Sequence, residues 1–96
     1  MPAATEERQL SELISVGPAM LRDLNLLGID SVKELARRNP RMMYSQLNRI
    51  KGQTQDICCL DVSRAAVAQA KDPMLSPEKS QWWYWSRLRK ENNGKE

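Results

Sequence analysis

The sequence predicts an all-α protein, a compact bundle of five or six short helices, on the basis of two observations. Apolar residues recur at the three- and four-residue spacing of one helix face, and no stretch alternates between apolar and polar residues as a half-buried strand does. Proline or glycine interrupts this pattern at short intervals, so each predicted helix is short. The chain has 96 residues, 41% hydrophobic and 28% charged, which suits one globular domain over residues 1–96.

The first predicted helix covers residues Glu6 to Ile14. Thr5 precedes this helix and can cap it, because a threonine hydroxyl accepts a free backbone N–H at a helix start. The apolar residues expected on its buried face are Leu10, Leu13 and Ile14. A tight turn follows over residues 15–18, in which Gly17 allows a backbone shape that other residues resist, and Pro18 has the preset φ of a first helical position.

The second predicted helix runs from Pro18 to Leu27. Gly28 follows as its left-handed C-terminal residue, after which Ile29 folds back as an apolar contact. The apolar face of this helix consists of Met20, Leu21, Leu24 and Leu27. Ser31 and Glu34 then form a capping box, in which each side chain can satisfy the exposed N–H of the other. The box begins a short third helix whose buried residues are Val32, Leu35 and Ala36.

Asn39 and Pro40 end the third helix and begin the fourth, because asparagine caps well and proline disfavours helical geometry in the residue before it. The fourth helix ends at Gly52, and its inward residues are Met43, Leu47 and Ile50, with Tyr44 alongside. Asp56 caps a fifth helix. That helix carries a narrow stripe of small apolar residues, namely Cys58, Cys59, Val62, Ala65 and Ala66. Since small residues let another helix approach closely, we expect the fifth helix to be central.

The sixth predicted helix follows a break at Asp72 and Pro73. Ser76 is its expected cap, Pro77 its first residue, and Glu78 adds a negative charge that the start of a helix favours. The chain from about residue 91 onward lacks apolar residues, so we expect this tail to fray.

Four consecutive aromatic residues lie in the sixth helix: Trp82, Trp83, Tyr84 and Trp85. They point in all directions, so one neighbouring helix cannot bury them all. In one interpretation, Trp82 and Trp85 anchor the helix on the core while Trp83 and Tyr84 lie partly exposed. In the other, the aromatic residues form a surface for a protein partner or a second copy of the chain, or stack on the bases of a single-stranded nucleic acid.

Several segments of the first half share one pattern: Leu13–Ala19, Leu24, Gly28–Ile29 and Ser31–Leu35. They resemble a helix-hairpin-helix (SAM-like) motif, with Ser15 in the place of the first of two hairpin glycines. Further segments extend the pattern: Met43–Tyr44, Gly52, Gln55–Cys58, Leu60–Val62, Arg64 and Trp82–Ser86. Together they resemble the pathogenicity-locus family of small bacterial proteins, often labelled mitomycin resistance proteins. The first half is also similar to the C-terminal domain of TfoX-type competence regulators.

The helix-hairpin-helix resemblance implies a phosphate site, in which backbone N–H groups of the hairpin and of the following helix bind an anion with help from the helix dipole. The implied nucleic-acid-binding residues of the hairpin are Ser15, Val16, Gly17, Ala19 and Met20, with Arg22 one turn further on. Pro18 has no N–H to contribute. The cluster of Arg37, Arg38 and Arg41 either extends this surface or forms a solvated face.

The composition argues against several function classes. Without histidine, no Ser-His or Cys-His nucleophile can form, and no glycine-rich phosphate loop occurs, so we expect no catalytic residue. Asp56 is explained as a cap, and Asp61 is placed to pair with Arg64 along its helix. Cys58 and Cys59 are adjacent and lack the spacing of zinc ligands, so we interpret them as core residues and expect no metal, cofactor or small-molecule substrate. No apolar run approaches the ~20 residues that span a bilayer, so we expect a cytoplasmic location and no membrane contact.

Two functional hypotheses remain. In the first, the chain binds DNA weakly and without sequence preference through the hairpin, aided by Arg22 and the arginines near Asn39, for which the net charge of +3 is favourable. In the second, it is a protein interaction or self-association module that uses residues 82–85 and binds no nucleic acid. The basic run favours the first hypothesis, whereas Ser15 and Ala19, where a glycine and a basic residue are usual, favour the second. We take DNA binding as the prediction.

Overall fold

Residues 8–94 are the part of the chain that the computed structural model describes, and they contain helices but no strand. A short 3-10 helix, Leu10–Glu12, precedes five α-helices. These are α1 (Pro18–Leu26), α2 (Val32–Leu35), α3 (Pro40–Lys51), α4 (Cys58–Lys71) and α5 (Trp82–Gly94). The predicted all-α class is therefore confirmed, whereas the helix-hairpin-helix motif stays a prediction. No helix within these residues has the length and apolar character needed to cross a membrane.

Helix α4 is central, as its small residues predict. It packs against α2, α3 and α5, and Ala65 and Ala66 are fully buried where its neighbours approach. The largest fully buried apolar side chains around it are Leu24, Val32, Leu35, Met43 and Leu47. Cys58 and Cys59, predicted as core residues, lie at the start of α4 and are only half-buried.

The predicted caps of the middle helices are confirmed. The Ser31 hydroxyl accepts from the Glu34 amide at 3.1 Å, and the Asn39 side chain accepts from the amides of residues 41 and 42. Gly28 has φ +78°, and the amide of Ile29 reaches back to Leu24 at 2.9 Å, so α1 ends in a Schellman motif. The Glu34 half of the capping box differs, because its carboxylate accepts from the amide of residue 30 and not from that of Ser31.

The first predicted helix is wrong within the described residues, where only the 3-10 turn forms; Thr5 lies outside them. Leu13 has an extended backbone with ψ 139°, so Ile14 does not lie on the same face as it would in a helix. Leu13 is buried as predicted, but Ile14 is 39% exposed. Ile50, also predicted to point inward, is 50% exposed because it lies in the last turn of α3 beside the exposed end of α1.

The last helix begins later than predicted. Ser76 caps only a single turn, in which its side chain accepts from the amide of Lys79 at 3.3 Å, and α5 starts at Trp82. The Ser80 carbonyl accepts hydrogen bonds from the side chains of Ser15 and Gln69, which directs the chain across the hairpin before α5 begins. Helix α5 extends to Gly94, into the stretch predicted to fray; fraying itself stays a prediction.

Candidate nucleic-acid interface

The hairpin between the 3-10 helix and α1 has the geometry of an anion site. Pro18 is the first residue of α1, and Gly17 precedes it in an extended conformation with φ −99°. Within the described residues, the N–H groups of Gly17, Ala19 and Met20 donate to no protein acceptor. They lie at the positive end of the helix dipole, where anions bind. The amide of Val16 is not available, since it donates to the Leu13 carbonyl at 3.2 Å.

Ser15, not Gly17, carries the unusual backbone of the hairpin. Its φ is +73°, whereas the predicted special conformation of Gly17 is absent. The Ser15 hydroxyl donates to the Ser80 carbonyl at 3.2 Å and accepts from the Trp82 amide at 3.1 Å. The serine in the place of a hairpin glycine thus binds the hairpin to the start of α5.

A buried glutamine holds the residue before Ser15. The Gln69 carbonyl accepts from the Ile14 amide at 2.8 Å, and its NH₂ group donates to the Ile14 carbonyl at 2.7 Å. The same NH₂ group lies within 3.1 Å of the Ala65 carbonyl and 3.4 Å of the Ser80 carbonyl. Gln69 is 5% exposed and was not predicted from the sequence, because a polar residue inside an apolar stripe gives no sign of its partner.

Two substitutions of Ser15 separate its backbone strain from its hydrogen bonds. Ser15→Ala keeps a residue with Cβ at positive φ and loses both bonds, so we expect it to lower the free energy of unfolding by about 1–3 kcal/mol. Ser15→Gly loses the same bonds but relieves a left-handed strain worth about 1 kcal/mol, so it should be more stable than Ser15→Ala by about that amount. Urea unfolding of both variants measures the difference. An alanine variant as stable as the glycine variant would contradict this account.

The start of α5 forms the wall of a groove of about 640 Å³, which we call the tryptophan groove. Its apolar lining consists of Ile57, Cys58, Trp82 and Trp83, and its polar lining of Ser86, Arg87, Arg89, Lys90 and Glu91. Trp82 and Trp83 are each 41% exposed, and the Arg87 guanidinium lies 5.2 Å from the Trp83 ring centroid.

Trp85 links α5 to the turn that precedes it, and Tyr84 packs against Trp85. The Trp85 indole N–H donates to the Lys79 carbonyl at 2.8 Å, and Tyr84 meets the Trp85 ring edge-on at 5.4 Å. Trp85 and Tyr84 are half-buried. Trp83 and Tyr84 are thus partly exposed, as the first interpretation predicts, but its anchoring role for Trp82 is wrong, because Trp82 is as exposed as Trp83.

A second cavity, of about 320 Å³, lies beside the hairpin. Hairpin and α1 residues line one side, and Cys58, Cys59 and Val62 of α4 line the other. Cys58 also lines the tryptophan groove, so the hairpin and the groove adjoin. Burial raises the pKa of both thiols, which keeps them protonated and unreactive at neutral pH. No group of three or more metal-ligating side chains occurs in the part of the chain described.

The predicted arginine cluster does not lie at the hairpin. Arg38 donates to the Leu27 carbonyl at 3.4 Å and to the Gln46 side chain, which places it at the opposite end of α1. Nine residues at ~1.5 Å each make α1 about 13 Å long. Arg37 lies near the same end and is exposed, as is Arg41 at the start of α3. Burial is the main cause that lowers the pKa of Arg64, and the nearby charge of Arg41 lowers it further. The sequence did not predict that Arg64 lies near Arg41.

Two ion pairs determine which charges remain available. Asp61 is fully buried and does not pair with Arg64 as predicted; it accepts two hydrogen bonds from Arg89 of α5, at 3.0 and 3.1 Å. Beside the hairpin, Lys51 neutralises Asp23 at 2.7 Å, so the carboxylate does not repel an anion there. Arg22 is exposed on α1.

Comparison with known proteins gives a matching family and a similar protein. The family described as Cdd1, pathogenicity locus, matches residues 3–91. A Streptomyces lavendulae protein named mitomycin resistance protein McrB is 30% identical over 87 residues, which make up 91% of this chain and 79% of that protein. No solved structure matches the chain.

Proposed function

The chain belongs to the pathogenicity locus family, and we propose that it binds nucleic acid without sequence preference through the hairpin at the start of α1. The observation that carries the proposal is the set of N–H groups at Gly17, Ala19 and Met20 that donate to no acceptor within residues 8–94, beside a groove lined by tryptophan and basic side chains. Backbone N–H groups at a helix start bind phosphate oxygens, and such contacts position a nucleic acid without reading its bases.

The charges around the hairpin favour weak binding. Arg22 lies one turn along α1, and Lys51 offsets the charge of Asp23 in the cavity beside the hairpin. Arg37 is exposed near the far end of α1, about four base steps away at ~3.4 Å per step, and Arg41 is exposed at the start of α3. With so few phosphate contacts, we expect a Kd of roughly 1–100 μM that rises with salt, by a slope of about one unit for each phosphate contacted.

A charge placed on Ala19 tests the hairpin directly. Ala19 is exposed in the first turn of α1, so Ala19→Glu puts a carboxylate into the anion site while its interaction with the helix dipole favours folding. We expect Ala19→Glu to weaken duplex binding about tenfold or more at low salt, and Ala19→Lys to strengthen it and steepen the salt dependence by about one unit. Fluorescence anisotropy of a labelled duplex across a salt series measures both effects.

The matched control is Met74→Glu, which adds the same charge at a residue that is 87% exposed and lines neither the cavity beside the hairpin nor the tryptophan groove. It should weaken binding far less than Ala19→Glu. Equal effects of the two variants would mean that only net charge matters, and the hairpin assignment would then be wrong. Absence of binding by the unaltered chain at low salt would overturn the proposed function.

Self-association or binding of a protein is the second candidate function. The observation in its favour is that Trp82, Trp83 and Ile57 are each 40–41% exposed in one groove, an apolar surface of the kind that interfaces bury. Light scattering on the anisotropy samples separates the candidates. A dimer that binds no nucleic acid would support the second.

A further inference from the structure

We propose that the tryptophan groove holds unpaired bases of a single-stranded nucleic acid, stacked on Trp82 and Trp83, with the adjoining phosphates at Arg87 and Lys90. This inference rests on the proposed function and adds the kind of nucleic acid that the chain prefers. The groove volume of about 640 Å³ is ample for a nucleobase and its sugar. Its lining combines two partly exposed indole rings with basic side chains, the pairing that single-strand-binding sites use.

The Arg87 contacts show that the groove accepts a flat, stacked group. The guanidinium of Arg87 already lies over the Trp83 ring, 5.2 Å from its centroid. A base can stack against the same indole, because every base has a π face. The ion pair of Arg87 with Glu78 is long at 3.4 Å and more than half exposed on both sides, so a phosphate can replace Glu78 at little cost.

The side chains that line the groove favour an anion, although the carboxylates of Asp56, Asp61 and Glu78 lie close to them. The Asp61 carboxylate is already bound by Arg89, which leaves Arg87 and Lys90 as the cations that a phosphate can reach. Glu91 on the rim is the one acidic side chain among those that line the groove. The described lining therefore has three basic side chains and one acidic side chain, a balance that favours an anionic ligand over a neutral or basic peptide.

The groove continues into the hairpin. Cys58 lines both the groove and the cavity beside the hairpin, and the Trp82 amide donates to the Ser15 hydroxyl. One strand can thus place a phosphate on the α1 amides and the next bases on the indoles. Bases inside a duplex are already paired and stacked, so only single strands, gaps or frayed ends can use both parts of this surface.

The test compares three probes of equal length: an oligo(dT) strand, an abasic strand with the same phosphates but no bases, and a duplex. Stacking predicts that oligo(dT) quenches the intrinsic tryptophan fluorescence and binds more tightly than the other two. Trp83→Ala should weaken oligo(dT) binding about ten- to a hundredfold and leave duplex binding nearly unchanged. Trp83→Phe, which retains an aromatic ring, should keep most of the affinity and guards against a folding defect in the alanine variant.

The outcomes distinguish this inference from the function on which it rests. If abasic and oligo(dT) strands bind equally and Trp83→Ala has no effect, while Ala19→Glu still weakens binding about tenfold or more, the stacking proposal is wrong and phosphate binding at the hairpin stands. If no probe binds at low salt, both fail. A concentration-dependent dimer that buries the tryptophans, with no quenching by oligo(dT), would also overturn the stacking proposal and assign the groove to self-association.

Discussion

Replacement of Asp61 by alanine is expected to lower the free energy of unfolding by about 3–5 kcal/mol. The carboxylate is fully buried in α4 and accepts two hydrogen bonds from the Arg89 guanidinium of α5, whose side chain is only 16% exposed. Hydrogen bonding to Asp61 raises the pKa of Arg89. Arginine cannot lose its proton in a protein, so the variant must hold a charged group whose remaining partner is Ser86 at 3.4 Å. A domain of this size has about 5–15 kcal/mol of stability in total.

Urea unfolding monitored by circular dichroism measures this loss, and the chain contains its own control. The pair of Arg87 with Glu78 is exposed, so Glu78→Ala should cost less than about 1 kcal/mol. The double variant Asp61→Ala with Arg89→Met removes the unpaired charge and should recover part of the stability. If Asp61→Ala costs no more than Glu78→Ala, the buried pair does not hold α5 on α4.

The parts of the fold that the sequence predicts correctly depend on neighbours within a few residues. Ser31 and Asn39 cap the helices that follow them, and Gly28 and Gly52 have φ of +78° and +71° at helix ends. Each of these signals is local, since a capping side chain and the backbone N–H that donates to it are two or three positions apart. The small residues of α4 likewise predict its central place, because close packing needs short side chains.

The parts that the sequence does not predict are contacts between distant segments. Asp61 has a basic residue three positions away, Arg64, yet it pairs with Arg89, 28 positions away. The link between Ser15 and Trp82 spans 67 positions and joins two features that the sequence offers as competing hypotheses. A pattern within one helix shows which face is buried but not which helix covers it. Pairing across the core therefore emerges only from the packing of α4 with α5.

The candidate site likewise has features that the sequence predicts and features that it does not. The hairpin and the run of aromatic residues are visible in the sequence, because glycine, proline and tryptophan are distinctive. Their adjacency is not, and neither is the separation of Arg38 from the hairpin by the length of α1. The exposure of Trp82 is not visible either, because the sequence of one helix does not show which of its faces the neighbouring helix covers.

Gln69→Leu is the second substitution with a large expected effect, about 2–4 kcal/mol of lost stability. Leucine has a volume close to that of glutamine, so the change removes hydrogen bonds with little loss of packing. The Ile14 N–H and C=O lose their partners at 2.8 and 2.7 Å, and the Ser80 carbonyl loses one at 3.4 Å. Because these bonds hold both the residue before the hairpin and the turn before α5, we expect the loss to be shared by the two parts of the interface.

The matched control is Gln53→Leu, the same chemical change at an exposed residue, which should alter stability by less than about 0.5 kcal/mol. Gln69→Glu keeps an acceptor for the Ile14 amide but loses the donor to the Ile14 carbonyl. This variant should therefore also be less stable than the unaltered chain. Hydrogen exchange of the Ile14 amide gives the local readout, with faster exchange expected in Gln69→Leu. Unchanged exchange together with unchanged stability would show that the hairpin holds its shape without α4, and the positive φ of Ser15 would then need another support.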